Sequence, residues 1–494
     1  MKLFSEVEKT RISYHGDPTQ NSVHRSSLLA IRFESAKTVI SFLNHFLIKR
    51  NYKNVMLKVT AINKEGNYKD SKSILIDKPK VYTFFLEELF EEITGINQYL
   101  IEFFSTNNLF IPFPAVMVNH IGHDFINCVH AYNRVLNDVF EDDQINDIQA
   151  PESSIDLLVD GEYDTFFNIA SGPFDLKNEL KVSLHARDTI TRHLSVDLNR
   201  LSSHTYKLSE IFDETPSSDS VLKILQPKQN LFYGRIFAGR LNRETGAFSA
   251  NHSYYDTSSL SDFINGKFSS QSYPYFSNCK NSFTMYPISS PSELRIFVEL
   301  FDKNYIFKSE GKTLISPSSS PINFEINELV KDSGIENCSL FRVTAQAVSQ
   351  KMPARVSLQL KYGPLNYKSK LVTSISESLT NEELFNSPQK TRMIWGQVAS
   401  MENYNSQLGI CLRDHNFGTQ DIVIQFYGKN GLLKTINSYI EPRRSLIFDS
   451  DYLRSLGAEN EFMWYVARSE QAELYAQSFH FHRLTGNSSG EHAF

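Results

Sequence analysis

Arg243-Glu244-Thr245-Gly246-Ala247-Phe248-Ser249-Ala250-Asn251-His252-Ser253-Tyr254 has a counterpart in Arg483-Leu484-Thr485-Gly486-Asn487-Ser488-Ser489-Gly490-Glu491-His492-Ala493-Phe494. Arginine, threonine, glycine, serine, histidine and an aromatic recur in both at identical spacings. The closing triplet of histidine, small residue and aromatic returns as His130-Ala131-Tyr132. A unit is therefore repeated. Glycine after threonine suits a hairpin turn, so both long copies should form the same hairpin feeding a histidine-bearing strand.

A second landmark sets the period. Phe84-Phe85-Leu86-Glu87-Glu88-Leu89, Tyr206-Lys207-Leu208-Ser209-Glu210-Ile211, Phe324-Glu325-Ile326-Asn327-Glu328-Leu329 and, more loosely, Ile447-Phe448-Asp449-Ser450-Asp451-Tyr452 carry acids at 88, 210, 328 and 451. These lie 122, 118 and 123 residues apart. The histidines follow by 42, 42 and 41 residues in the first, second and fourth repeats, and Lys370 stands at the corresponding place in the third. Such a period is too long for a solenoid and matches a complete small domain.

Within each repeat, apolar residues alternate as they do in half-buried strands, for example Leu294-Arg295-Ile296-Phe297-Val298-Glu299-Leu300. Lys429-Asn430-Gly431 supplies a turn that tolerates positive φ. The pattern predicts a mainly β protein of four tandem related antiparallel β-sandwich units of about 120 residues with few short helices. The expected boundaries are 1–137, 160–258, 280–375 and 390–494 for the units, with an acidic linker at 138–159 and further linkers at 259–279 and 376–389. The landmark suits a short helical turn at the crossing between sheets. Ala36 to Asn51 reads equally as strand or helix.

The formal charge of −6 is unevenly spread, because Val135 to Leu176 holds eleven acids and no Lys or Arg. That stretch reads as a solvated linker; its Asp156, Asp160, Glu162 and Asp164 around Gly161 also suggest calcium oxygens, at a spacing other than the EF-hand's. No positive stripe interleaved with stacking aromatics is present, which argues against a nucleic-acid partner. No run is long and apolar enough for a membrane span. The four cysteines, 128, 279, 338 and 411, fall at inequivalent places in the repeats and predict free thiols. Together with an N-terminus lacking an apolar signal core, they point to a cytoplasmic protein.

Two histidine groups are candidate transition-metal ligands: His120 and His123 in the first repeat, His480 and His482 in the fourth. Side chains two apart on a strand share a face, so His480 and His482 could chelate together. The alternative is imidazoles bonded to backbone carbonyls. The recurring His130, His252 and His492, with Arg243, Arg483 and Tyr254, are candidate ligand-binding residues. For the histidines, a packing role is the preferred explanation, with Lys370 in the third repeat standing against it. No nucleophile elbow, phosphate loop or Cys-x-x-Cys pair is present. The expected function is a non-catalytic binding or scaffolding module for protein or glycan, with sugar stacking on Tyr254-Tyr255-Asp256 and Trp464-Tyr465. The rival is a metal-dependent enzyme built on the histidine groups of the first and fourth repeats.

Overall fold

The computed structural model describes residues 24–494 except 54, 106–114, 131, 138–150, 156, 173, 186–188, 214–215, 217–219, 228–234, 256–262, 288–289, 303–305, 309–311, 315–319, 354, 382–391 and 414–417. The chain is mainly β, with antiparallel sheets and short helices. One four-strand arrangement recurs four times. In the first copy β1 (Lys37–Leu43), β2 (Val81–Phe85), β3 (Met117–Ile121) and β4 (Ile126–Val129) lie in the order β2-β1-β3-β4. The second uses β5 (Tyr163–Ala170), β6 (Ser203–Lys207), β7 (Phe237–Asn242) and β8 (Phe248–His252) in the order β6-β5-β7-β8.

The third copy is β10-β9-β11-β12, from β9 (Cys279–Met285), β10 (Ile322–Glu325), β11 (Val356–Pro364) and β12 (Thr373–Asn381). The fourth is β14-β13-β15-β16, from β13 (Tyr404–Leu412), β14 (Ser445–Phe448), β15 (Leu474–His482) and β16 (Ser488–His492). A separate second sheet packs on the first, second and fourth copies, whereas in the third β12 pairs with Phe268–Pro274 and joins both layers into one nine-stranded sheet. In the second repeat, for instance, Leu180, Val182 and Leu222 of that sheet form one core with Phe167 and Ile169 of β5. Alternation drives this arrangement: Leu294–Phe301 buries Leu294, Ile296, Val298 and Leu300 and turns Arg295 to solvent.

Strand ladders give an exact correspondence between copies. Ile40, Phe167, Phe283 and Leu408 pair with Phe84, Tyr206, Phe324 and Phe448. A short helical segment then begins two residues on, at Leu86, Leu208, Ile326 and Ser450. The loose fourth landmark is thus displaced by one, and Tyr452 rather than Asp451 matches Glu88, Glu210 and Glu328. The undecided segment contains both elements, because strand β1 ends at Leu43 and the side chain of Asn44 accepts Leu47 N–H at 3.2 Å and starts the helix His45–Arg50.

Several residues assigned to linkers are strands. Pro151–Ile155 pairs with Val221–Leu225, Phe268–Pro274 with Leu340–Ala347, and β12 continues to Asn381. The strand from Pro151 has Glu152 and Ser153 fully buried, so the acidic composition there is not a sign of solvation. The linker residues 138–150 lie outside the described residues. Gly431 has φ +119°, as its turn requires.

The four terminal strands β4, β8, β12 and β16 meet around a common centre. Asn127 Oδ1 accepts Ala250 N–H at 2.7 Å, and Ser376 Oγ donates to His252 O at 2.6 Å. Thr373 N–H donates to Ser488 Oγ at 2.7 Å, and Cys128 N–H to Ser489 Oγ at 3.0 Å. Each neighbouring pair is therefore tied by a bond between repeats. Their hairpins close the same ring further out. Ser35 Oγ donates to Gly246 O, Arg240 to Lys370 O, Tyr367 to Arg483 O, and Asn487 Nδ2 to Asp124.

Candidate functional site

The ladders carry the correspondence inward to the centre. Val118, Ala238, Leu360 and Ser478 pair with Val129, Asn251, Ile375 and Glu491. The next residues are His130, His252, Ser376 and His492, so Ser376, and not Lys370, occupies the histidine position of the third repeat. Lys370 sits on the hairpin and binds Asp160 at 2.7 Å.

The three recurring histidines converge. His130 and His492 have ring centroids 4.6 Å apart, His130 and His252 5.0 Å, and His252 and His492 6.2 Å, all nearly perpendicular. Glu491 joins them, with Oε2 3.0 Å from His130 Nδ1 and Oε1 3.7 Å from His492 Nε2. One donor atom from each of the four residues lies within 4.8 Å of all the others, the only such group of three or more among the described residues. His130, His252 and Glu491 are buried, and His492 is partly exposed.

Backbone carbonyls fix two of the rings in the same way. His252 Nδ1 faces Ser253 O at 3.2 Å and His492 Nδ1 faces Ala493 O at 2.8 Å. A carbonyl only accepts, so Nδ1 carries a proton in both rings and Nε2 is the nitrogen left for another partner. Arg235 Nη1 lies 3.2 Å from His252 Nε2 and 3.1 Å from Nδ1, almost equidistant from the two. Burial holds His252 well below the ordinary imidazole range, helped by Arg235 and the two other histidines. Burial also raises the Glu491 acid, against the pull of His492 and of N–H donors that include His492 N at 3.0 Å.

The other candidates are placed elsewhere. His120 Nε2 bonds Ile31 O and His480 Nε2 bonds Ile126 O, each at 2.9 Å, and burial lowers both to about 4. They are packing histidines on equivalent strands. His482 Nδ1 accepts from Thr485 and His123 is exposed, so neither histidine pair assembles the proposed metal site. Side chains two apart on β15 do share a face, but their ring nitrogens are taken up by separate partners.

Arg243 fastens its hairpin to Tyr163 O at 3.2 Å and Asp164 at 3.3 Å, while Arg483 Nε donates to Asn405 at 3.2 Å. The two hairpins match as expected, with Gly246 N–H on Asn242 O at 3.0 Å and Gly486 N–H on His482 O at 2.9 Å. Their serines bond other repeats: Ser249 Oγ donates to Val372 O at 3.0 Å and to Ser488 O at 2.9 Å, and Ser489 Oγ accepts Cys128 N–H. Tyr254, Trp464 and Tyr465 are buried, which removes them as sugar platforms; Asp256 lies outside the described residues. The calcium reading also fails for Asp160 and Asp164, whose oxygens accept from Glu162 N, Tyr163 N, Lys370, Ser209 and Arg243. Asp156 lies outside the described residues.

All four cysteines are free and buried. No helix among the described residues is long and apolar enough to cross a membrane.

Beside the centre, Glu152 is wholly buried and accepts from Ser253 Oγ and, at 3.0 Å, from Gln226 Nε2. Burial pushes its carboxyl up to about 8, opposed by Ser253, Arg235 and Gln226. The folded state then holds a proton that the unfolded state releases, so the contribution of Glu152 is complete below the unfolded value of 4.5 and lost as pH rises through about 8. Urea midpoints at pH 6 and pH 9 should show a wild-type loss at the higher pH that shrinks in Glu152→Gln. An unchanged loss in the variant would assign the slope to other groups.

No family model matches the chain, and no curated protein matches it. Among solved structures, the chain is similar to one described as a tetra-tandem repeat in the extending region of a large adhesion protein. Identity is 8%, the match covers 94% of this chain and 97% of that one, and the TM-score is 0.11. A TM-score that low leaves the fold to be read from the ladders themselves.

Proposed function

We propose that the protein is a non-catalytic scaffold in which four copies of one sandwich unit, bounded approximately as the sequence suggests, are locked on a common centre and present their outer strands to protein partners. The ring of bonds among β4, β8, β12 and β16 supports this reading most strongly. Side-chain and backbone donors of one repeat satisfy acceptors of the next at all four junctions. Such bonds fix orientation between units, which a chain of independent beads would not need.

The outer rim favours a protein partner. Tyr68–Ile76, Thr189–Leu198 and Gly431–Ile440 each end a sheet and pair on one side only among the described residues. They expose Tyr68 and Tyr439 at 60% and Leu432 at 52%. Sheet edges with exposed apolar side chains are docking sites for an added strand. Buried free thiols fit a reducing compartment and hence a cytoplasmic setting.

The test is capture of partners from native extract, identification by mass spectrometry, and reconstitution of each complex from purified components. Leu432→Lys with Tyr439→Lys should weaken the reconstituted complex at least tenfold at unchanged melting temperature. Binding that survives these changes, or that disappears on deglycosylating the partner, would reject edge docking and favour another face or a glycan.

A further inference from the structure

The convergence of His130, His252, His492 and Glu491 has a chemistry that a scaffold does not require. Three imidazoles and a carboxylate are a donor set for zinc and similar divalent transition metals. We infer that these four residues form a buried metal centre that pins the first, second and fourth repeats together.

The orientation of the rings supports this assignment independently of their proximity. Metal-ligating histidines characteristically donate their other ring N–H to a carbonyl or carboxylate. His252 and His492 do so to Ser253 O and Ala493 O, the following residue in both cases. In each ring Nε2 is thereby the nitrogen left for a metal. His130 contributes Nδ1, already 3.0 Å from Glu491. A tetrahedral ion with bonds of about 2.0–2.1 Å needs donors about 3.3 Å apart. One donor atom of each residue lies within 4.8 Å of the others, so the widest pair has to draw in by about 1.5 Å, a shift on the scale of side-chain rotation.

Arg235 is the competitor. Its Nη1 is 3.2 Å from His252 Nε2, so coordination requires the guanidinium to turn fully onto the face of Tyr254, over which its carbon already lies at 4.8 Å. The ion then replaces one positive charge by another beside His252. Binding accordingly couples to ring closure: ligands from β8 and β16 and from the residue after β4 can bind the same ion only when those strands meet.

The test uses the full-length protein. Metal content after purification, followed by Co²⁺ titration of the chelated protein, should give one ion per chain with the intense visible absorption of a tetrahedral site. Zn²⁺ should raise the melting temperature. Paired replacement His252→Ala with His492→Ala should abolish the cobalt spectrum, and Glu491→Gln, which keeps the side chain's shape, should weaken Co²⁺ binding at least tenfold. Arg235→Met should tighten it. Absence of stoichiometric binding to the wild-type protein would overturn the inference. So would binding unchanged in Glu491→Gln, since the ion would then lie elsewhere, for example near His123 and His482. If the double variant fails to fold, the Glu491→Gln and Arg235→Met shifts, opposite in sign, still decide the matter. Edge docking is measured on other residues, so either idea can fail alone.

Discussion

Trp464→Ala should destabilise the whole chain by about 3–5 kcal/mol, the range for emptying a buried tryptophan site. Trp464 is fully buried between the first and fourth repeats, and its Nε1 donates to Ser41 Oγ at 2.8 Å. It also stacks on Phe494 with centroids 5.8 Å apart. Removing the indole leaves a cavity at a junction and strands the Ser41 hydroxyl. Trp464→Phe keeps most of the volume and should cost about 1–3 kcal/mol, chiefly for the lost hydrogen bond. Equilibrium urea unfolding measures both. An alanine variant within about 1 kcal/mol of wild type would mean that this junction is loose in solution.

Phe248→Ala should cost a similar amount, about 3–5 kcal/mol, at the junction of the first and second repeats. Phe248 opens β8, yet its ring packs on Phe33, Phe125 and His120 of the first repeat with centroids 4.7, 4.9 and 5.4 Å away. Phe166 of its own repeat lies at 5.8 Å. The expected signature is a lower midpoint in one cooperative transition, because the cavity opens in a core shared by two repeats. A split transition, with the second repeat melting alone, would contradict that sharing.

The repeat was legible because hairpin chemistry is local. Arg-x-Thr-Gly-x-x-Ser places glycine where positive φ is needed, and both Gly246 and Gly486 adopt it, at +70° and +77°. Counting residues across a longer distance was less safe. The third repeat's helix, Ile326–Ser333, has 8 residues where the second repeat's Leu208–Ile211 has 4, which accounts for most of the offset that puts Lys370 at the counted position, six residues short of Ser376.

The convergence of the histidines was hidden for another reason. A ladder within one repeat says nothing about the strand that faces it from another, and the joining contacts span hundreds of residues, as between Cys128 and Ser489. Packing and meeting are also compatible: His252 is 1% exposed, bonds within its own repeat, and still reaches its counterparts. Glu491 went unnoticed because the equivalent positions hold Val129, Asn251 and Ile375. Its one signal was an acid directly before the histidine in Ser488-Ser489-Gly490-Glu491-His492, a strand otherwise made of small residues.

Native-state hydrogen exchange of the central strands tests the closed ring most directly. The amides of Cys128, Ala250 and Thr373 donate across three different junctions, and Ser488 N–H donates to Leu371 O at 2.8 Å. If the four repeats form one body, all four amides exchange only through global unfolding, with the same free energy and the same urea dependence. Exchange of any one of them at a markedly lower free energy, repeat by repeat, would show separate units and contradict the account.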